Sequence, residues 1–172
     1  MRRFTVMKAP FGSVGFVVTP RGLAHLFLMK SPPVWVRSIL ARRFADARYD
    51  RDLYPELRKQ LEEYFAGRRV SFRVKTDLSG LGPFQKTVLE ACARIASGQT
   101  LTYGQLARKI GRPRAARAVG GALARNPVPL VIPCHRVIAG NGSLGGFSAE
   151  QGVSLKRWLL DLEAGESRKI LE

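Results

Sequence analysis

Two cysteines, two histidines and thirteen acidic residues are all that this 172-residue chain contains of those types. Each scarcity excludes something. Cys92 and Cys134 provide no disulfide framework, so a reducing compartment is expected and the cytoplasm fits. His25, Cys92 and the pair Cys134-His135 are scattered, which leaves no tetrahedral zinc set and predicts no metal or other cofactor. Against thirteen acids stand twenty-nine lysines and arginines, a formal net charge of +16. Such an excess favours a polyanionic partner through counterion release and steering. No apolar run is long enough to span a bilayer, so no membrane association is expected. Met1-Arg-Arg-Phe4 is not an export signal, because Lys8 and Pro10 interrupt any apolar stretch behind it.

What is present supports a folded protein. A hydrophobic share of 45% suffices for a core, and the length suits one domain or two small ones. Phe4 and Val6, then Val14, Phe16 and Val18, then Ala24, Leu26 and Leu28 alternate as strands do. Thr19-Pro-Arg-Gly22 is a turn between two of them. After Ser31-Pro-Pro33 the period becomes helical, with Val36, Leu40 and Phe44, then Leu53, Leu57 and Leu61 extended by Tyr64 and Phe65. Val70, Phe72 and Val74 alternate again and predict one more strand. Leu78–Gly82 reads as a linker, giving an expected division into residues 1–78 and 79–172.

Pro83 opens the next helix, with Phe84, Val88, Leu89, Cys92 and Ile95 on its apolar face. Cys92 is thereby expected in the core. Thr102 can N-cap a short helix carrying Leu106 and Ile110, which Gly111 ends. Pro113 is expected to open a second helix running to about Ala124. Helix, Gly-containing turn, helix is the outline of a helix-turn-helix. Arg108, Lys109, Arg112, Arg114, Arg117 and Arg125 fall in this segment with no acidic residue among them. Gly120-Gly121 costs about 1 kcal/mol per glycine relative to alanine. Close helix packing and close approach to a nucleic-acid backbone are both open as its reason.

Pro127–Pro133 is expected to be a stiff, extended connector. Gly140-Asn-Gly142 signals a turn and Gly145-Gly146 a flexible point. Ser148 and Gln151 have capping-box spacing for a last helix whose buried face is Val153, Trp158, Leu159 and Leu162. Cys134 lies at the end of the connector. A free thiol is only a few per cent ionised at neutral pH, so a nucleophile there needs a base or a cation. His135 and Arg136 are adjacent. Neighbours in an extended chain point apart, so His135 acts on Cys134 through a water or around a sharp turn. Glu163, where the helix dipole disfavours an anion, is either solvated or held by a partner that it would orient.

Pro133-Cys-His-Arg-Val137, preceded by Asn126-Pro-Val-Pro129 and by Arg114-Ala-Ala-Arg-Ala-Val-Gly-Gly121, strongly resembles the O6-alkylguanine-DNA alkyltransferases. The match runs on through Gly145-Gly-Phe-Ser148 and Lys156-Arg-Trp-Leu-Leu160 to Glu163, dense over the C-terminal half. The resemblance implies an α+β fold: a small ribonuclease-H-like sheet domain, then a mostly helical domain with the helix-turn-helix. It implies that Cys134 takes the alkyl group, activated through water by His135 with Glu163 behind it. Asn126 would brace the turn before the cysteine. Tyr103 would hydrogen-bond the purine and help rotate its phosphate, and Arg117 would fill the gap left by the flipped nucleotide. Arg114, Ala118, Gly120 and Gly121, with Thr102 and Gln105, would contact DNA. The substrate pocket would take in Tyr103, Pro129, Val137, Phe147, Ser148 and Lys156. Within it, the carbonyls of Cys134 and Val137 would take the guanine amino group, and the amide of Ser148 would approach O6. Phe147 stands where relatives often carry tyrosine, so a hydroxyl contact is lost there while ring packing remains.

The implied activity is direct repair. A methyl or other alkyl group passes from O6-alkylguanine, less readily from O4-alkylthymine, to Cys134, once per molecule. The implied partner is double-stranded alkylated DNA held through the minor groove by a monomer. The N-terminal part lacks evident catalytic carboxylates and is assigned a structural role. Three alternatives compete. An alkyltransferase-like lesion-recognition protein performs no transfer, but such relatives replace the cysteine. A helix-turn-helix regulator would need a second module. A cysteine protease would leave the basic helices without a purpose.

Overall fold

The computed structural model describes residues 1–166 and has an α+β architecture. Strands β1 (Arg2–Ala9), β2 (Gly12–Thr19) and β3 (Gly22–Met29) form an antiparallel meander. A three-residue strand, β4 (Ala47–Tyr49), adds parallel to β1 and gives the order β3-β2-β1-β4. Helices α1 (Pro33–Arg43) and α2 (Pro55–Phe65) follow the meander, and both begin on proline.

Both faces of the sheet are buried, which explains why every residue from Ser13 to Val18 is inaccessible. On one face Phe4, Val6 and Val17 meet Val36 and Leu40 of α1 and Phe44 just beyond it. Gly15 permits that approach, because a Cβ there would fall 2.6 Å from Leu40 Cδ1. On the other face Val14, Phe16, Leu26 and Leu28 join the main core, which continues through Leu57, Leu61 and Tyr64 into the C-terminal helices.

Four helices dominate the remaining described residues: α3 (Pro83–Ala93), α4 (Tyr103–Lys109), α5 (Ala116–Ala124) and α6 (Gly152–Glu163). Two short strands, β5 (Leu101–Thr102) and β6 (Val137–Ile138), pair in parallel. Thr102 and Gln105 form a reciprocal capping box at the start of α4, an N-cap worth about 1 kcal/mol. Gly111, at φ 70°, ends the turn beyond it.

Several expectations require correction. The second helix of the helix-turn-helix begins at Ala116 rather than Pro113, because residues 112–115 are held in a turn by Ala115 N donating to Arg112 O. Val70–Val74 is not a strand. That stretch leads into a single bridge, Leu23 to Thr76, on the edge of β3. Phe84 and Val153 are exposed rather than buried, and Leu155 takes the inner position on α6. Ser148 and Gln151 make no capping box; the Gln151 side chain donates instead to Phe11 O at 3.0 Å.

The connector of residues 127–133 is not extended either. Leu130 adopts φ 70° and Ile132 N returns to Val128 O at 2.9 Å, so the chain doubles back. Its Pro127 carbonyl accepts from Leu26 N of β3 at 2.8 Å, which covers the sheet edge and ties it to the cysteine segment. Among the described residues no helix is long and apolar enough to cross a membrane.

Candidate active site

Cys134 opens a single 3₁₀ turn, Cys134–Arg136, at the end of the doubled-back connector. Asn126 sets that path from inside the core. Its Nδ2 donates to Ile132 O at 2.8 Å, and its Oδ1 accepts from Val128 N at 3.0 Å. One side chain thus satisfies two buried backbone groups that the prolines leave without ladder partners.

The 3₁₀ turn settles the direction of His135. Its ring is fully buried and reaches α6, where Nε2 lies 2.6 Å from Glu163 Oε1. Glu163 also accepts from Arg136 Nε and Nη2 at 2.9 Å each, from Gly98 N at 3.1 Å and from the Tyr64 hydroxyl at 2.7 Å. Burial pushes the Glu163 carboxyl up, but the hydrogen bonds from His135 and Arg136 outweigh it and hold the group well below the usual range. With Glu163 anionic, the proton of neutral His135 sits on Nε2. Burial lowers the His135 pKa more than Glu163 raises it, so the neutral form is favoured. Nδ1 is then a buried acceptor with no hydrogen-bond partner among the described protein atoms.

Burial also raises the Cys134 thiol, with Asn126, Lys156 and nearby backbone groups pulling the other way. The resting sulfur is therefore a thiol, and it must lose its proton in the course of reacting. Cys134 forms part of the wall of a cavity of about 440 Å³ lined by Tyr103, Gly120, Leu123, Ala124, Gly146, Phe147 and Ser148. The volume lies in the range of small-ligand pockets. Tyr103 is the first residue of α4, and Gly120, Leu123 and Ala124 come from α5, so the helix-turn-helix itself closes the cavity.

Of the expected pocket residues, Tyr103, Phe147 and Ser148 line this cavity, and Pro129 lines an adjoining one of about 590 Å³. Lys156 and Val137 are fully buried and do not line the Cys134 cavity, although Lys156 Nζ lies 5.8 Å from the centroid of the Tyr103 ring. Lys156 Nζ donates to the carbonyls of Val137 and Leu144 at 2.6 Å each and of Gly146 at 3.2 Å. It staples the loop that carries the cavity rim.

Arg114, Arg117 and Ala118 are exposed on and before α5, as are Arg108, Lys109, Arg112 and Arg125 around it. A Cβ at Gly120 would lie no closer than 3.8 Å to the Tyr103 ring, and one at Gly121 would meet only Arg125, 3.9 Å away. Helix packing therefore does not require this glycine pair. Thr102 and Gln105 spend their side chains on the α4 cap. Cys92 is buried, and His25 is partly buried against Phe27 and Phe44.

Tyr64 was legible only as part of an apolar helical stripe, and its place beside Glu163 was missed. A buried tyrosine hydroxyl must find a partner, which was the available signal. Arg136 was legible as a cation near the sulfur, but its hold on Glu163 was not.

The 6-O-methylguanine DNA methyltransferase, DNA binding domain family matches residues 83–165. A methylated-DNA–protein-cysteine methyltransferase of Methanosarcina acetivorans is 37% identical over 166 residues, covering 93% of this chain and 97% of that protein. The protein of the same name from Salmonella typhimurium is 47% identical over 104 residues, 60% of each chain. The crystal structure of Mycobacterium tuberculosis O6-methylguanine methyltransferase superposes with a TM-score of 0.82 at 33% identity, covering 98% of this chain and 96% of the other. The Mycobacterium tuberculosis protein in complex with DNA gives a TM-score of 0.82 at 32% identity, covering 96% of this chain and 94% of that one.

Proposed function

Because this chain belongs to the methylated-DNA–protein-cysteine methyltransferase family, which repairs DNA by alkyl transfer, we propose that Cys134 is its alkyl acceptor. The substrate is O6-alkylguanine in double-stranded DNA. One observation carries the reading. Cys134 sits in the wall of a cavity closed on another side by the arginine-flanked helix α5, with the His135–Glu163 pair behind it.

The lesion carbon lies inside a stacked duplex, so the nucleotide is extruded into the cavity at a cost of a few kcal/mol. Arg117, at the exposed start of α5, occupies the gap. Arg114, Ala118, Gly120 and Gly121 lie against the minor-groove backbone, and the missing side chains of the two glycines let that backbone come close. Thr102 and Gln105 shape the start of α4 and so place Tyr103 against the extruded purine. Phe147 supplies ring packing, Ser148 brings its amide towards O6, and Pro129 flanks the alkyl group.

His135 Nδ1 takes the thiol proton through a bridging water. The sulfur forms a bond to the alkyl carbon as the carbon–O6 bond breaks, and the electron pair leaves with guanine. The proton held by His135 returns through solvent to the purine, which restores guanine and neutral imidazole. The product thioether is a poor leaving group, so each molecule acts once. Residues 79–172 hold this machinery and residues 1–78 support it, in a protein acting as a monomer.

Titration of a fixed amount of protein with excess lesion duplex tests the reading. Restored guanine reaches a plateau at one per protein chain; continued turnover would contradict it.

A further inference from the structure

The hydrogen bonds on Glu163 include one that comes from the N-terminal half of the chain. Oε1 accepts from His135 Nε2, from Arg136 Nη2 and from the Tyr64 hydroxyl, while Oε2 accepts from Arg136 Nε and Gly98 N. All of these donors but one belong to the C-terminal half of the chain. The exception, Tyr64, is delivered by α2 from 99 residues away.

Tyr64 is 2% exposed and its ring packs against Phe65 and Phe72, with centroids 5.6 Å away in each case. A carbonyl would satisfy a buried phenol equally well. This hydroxyl instead meets the same carboxylate oxygen that faces the His135 proton, and its own oxygen lies 3.4 Å from Nε2. Burial, then the Glu163 charge beside it, raises the Tyr64 pKa well above the usual value, so the group remains a donor.

The terminal torsion of a glutamate is soft, with broad rather than discrete minima. Arg136 grips both oxygens through a planar fork and Gly98 N holds Oε2, so the Tyr64 hydroxyl is the one donor on Oε1 from outside the Cys134–Arg136 turn. A donor on Oε1 anchored in a separate element restricts that torsion. We propose that Tyr64 is a positioning residue for alkyl transfer. Its hydroxyl holds Glu163 Oε1 towards His135 Nε2, and so maintains the tautomer that leaves Nδ1 able to take the thiol proton. The N-terminal half thereby contributes to reactivity as well as to packing. This inference rests on the reading in which Glu163 orients His135.

The test is a double-mutant cycle in the full-length protein, using Tyr64→Phe and Glu163→Gln. Tyr64→Phe keeps the ring and removes only the hydroxyl. The expected result is lesion-duplex affinity within about twofold of wild type and single-turnover transfer slowed about tenfold at saturating duplex. Glu163→Gln is itself slow, and adding Tyr64→Phe slows it no further, because the two act through one group. Wild-type transfer by Tyr64→Phe at saturating duplex, or additive slowing in the Glu163→Gln background, overturns the role of Tyr64 alone. Wild-type transfer by Glu163→Gln overturns the underlying role of Glu163, and this inference with it.

Discussion

A Cβ on Gly145 would lie 2.7 Å from the Tyr103 hydroxyl, so the loop that rims the cavity touches the tyrosine that lines it. Gly145 also adopts φ 68°, where side chains are disfavoured. Gly145→Ala is therefore expected to lose about 1–2 kcal/mol of stability. It should also displace the Tyr103 ring and slow transfer to duplex substrate. Urea unfolding and single-turnover rates check both parts, and a variant with wild-type values in each would contradict the contact.

Asn126→Ala removes the two hydrogen bonds that fold the connector back; Val128 N loses its partner, while Ile132 O keeps the bond from Cys134 N. The expected loss is about 1–3 kcal/mol. Transfer should fall further than the folded fraction does, since the path of the chain to Cys134 depends on this turn. Equilibrium unfolding beside the transfer rate separates the two effects.

Lys156→Met keeps much of the side-chain volume but takes this donor from the buried carbonyls of Val137 and Leu144, while the carbonyl of exposed Gly146 can turn to water. Each buried unpaired group costs about 1–3 kcal/mol. We expect a large drop in the urea midpoint and faster amide exchange across residues 138–146. Protection unchanged from wild type would show that the loop holds its shape without Lys156.

Stability should fall in acid for a nameable reason. Asp77 is held below the usual carboxyl range by Ser79 and Thr19 hydroxyls, with Arg21 adding less. In Glu163, donors from His135 and Arg136 overcome burial to the same effect. Both folded values lie below the unfolded ones. Their contribution is thus complete above about pH 4.3 and is lost as pH falls below it towards the folded values. Asp77→Asn should flatten that decline without abolishing it, as read by urea unfolding between neutral and acid pH.

Arg117→Ala tests the extrusion step apart from the chemistry. It should slow reaction with O6-methylguanine in duplex DNA far more than reaction with free O6-benzylguanine, which needs no extrusion. Equal slowing of both would remove the proposed role of Arg117.

Much of this site could be read from the chain because its signals are local. The Thr102 cap, the arginine-rich pair of helices and the Cys134-His135 juxtaposition each occupy a short stretch. The connector was misread because prolines restrict φ without specifying a path. The reversal comes from Leu130 in a left-handed conformation and from Asn126 reaching six residues ahead. Val70, Phe72 and Val74 alternate as strand residues do, yet only Thr76 beyond them bridges to the sheet. The gathering of Tyr64, Arg136 and Gly98 N around Glu163 was hidden for a different reason. It joins segments up to 99 residues apart, and each donor taken alone has an ordinary local explanation.

The most direct test is intact-protein and peptide mass measurement after incubation with duplex containing O6-methylguanine. The account predicts the gain of one methyl group on the peptide carrying Cys134, and its loss in Cys134→Ala. Restoration of guanine with Cys134 unmodified, or tight binding with no gain in mass, would contradict it.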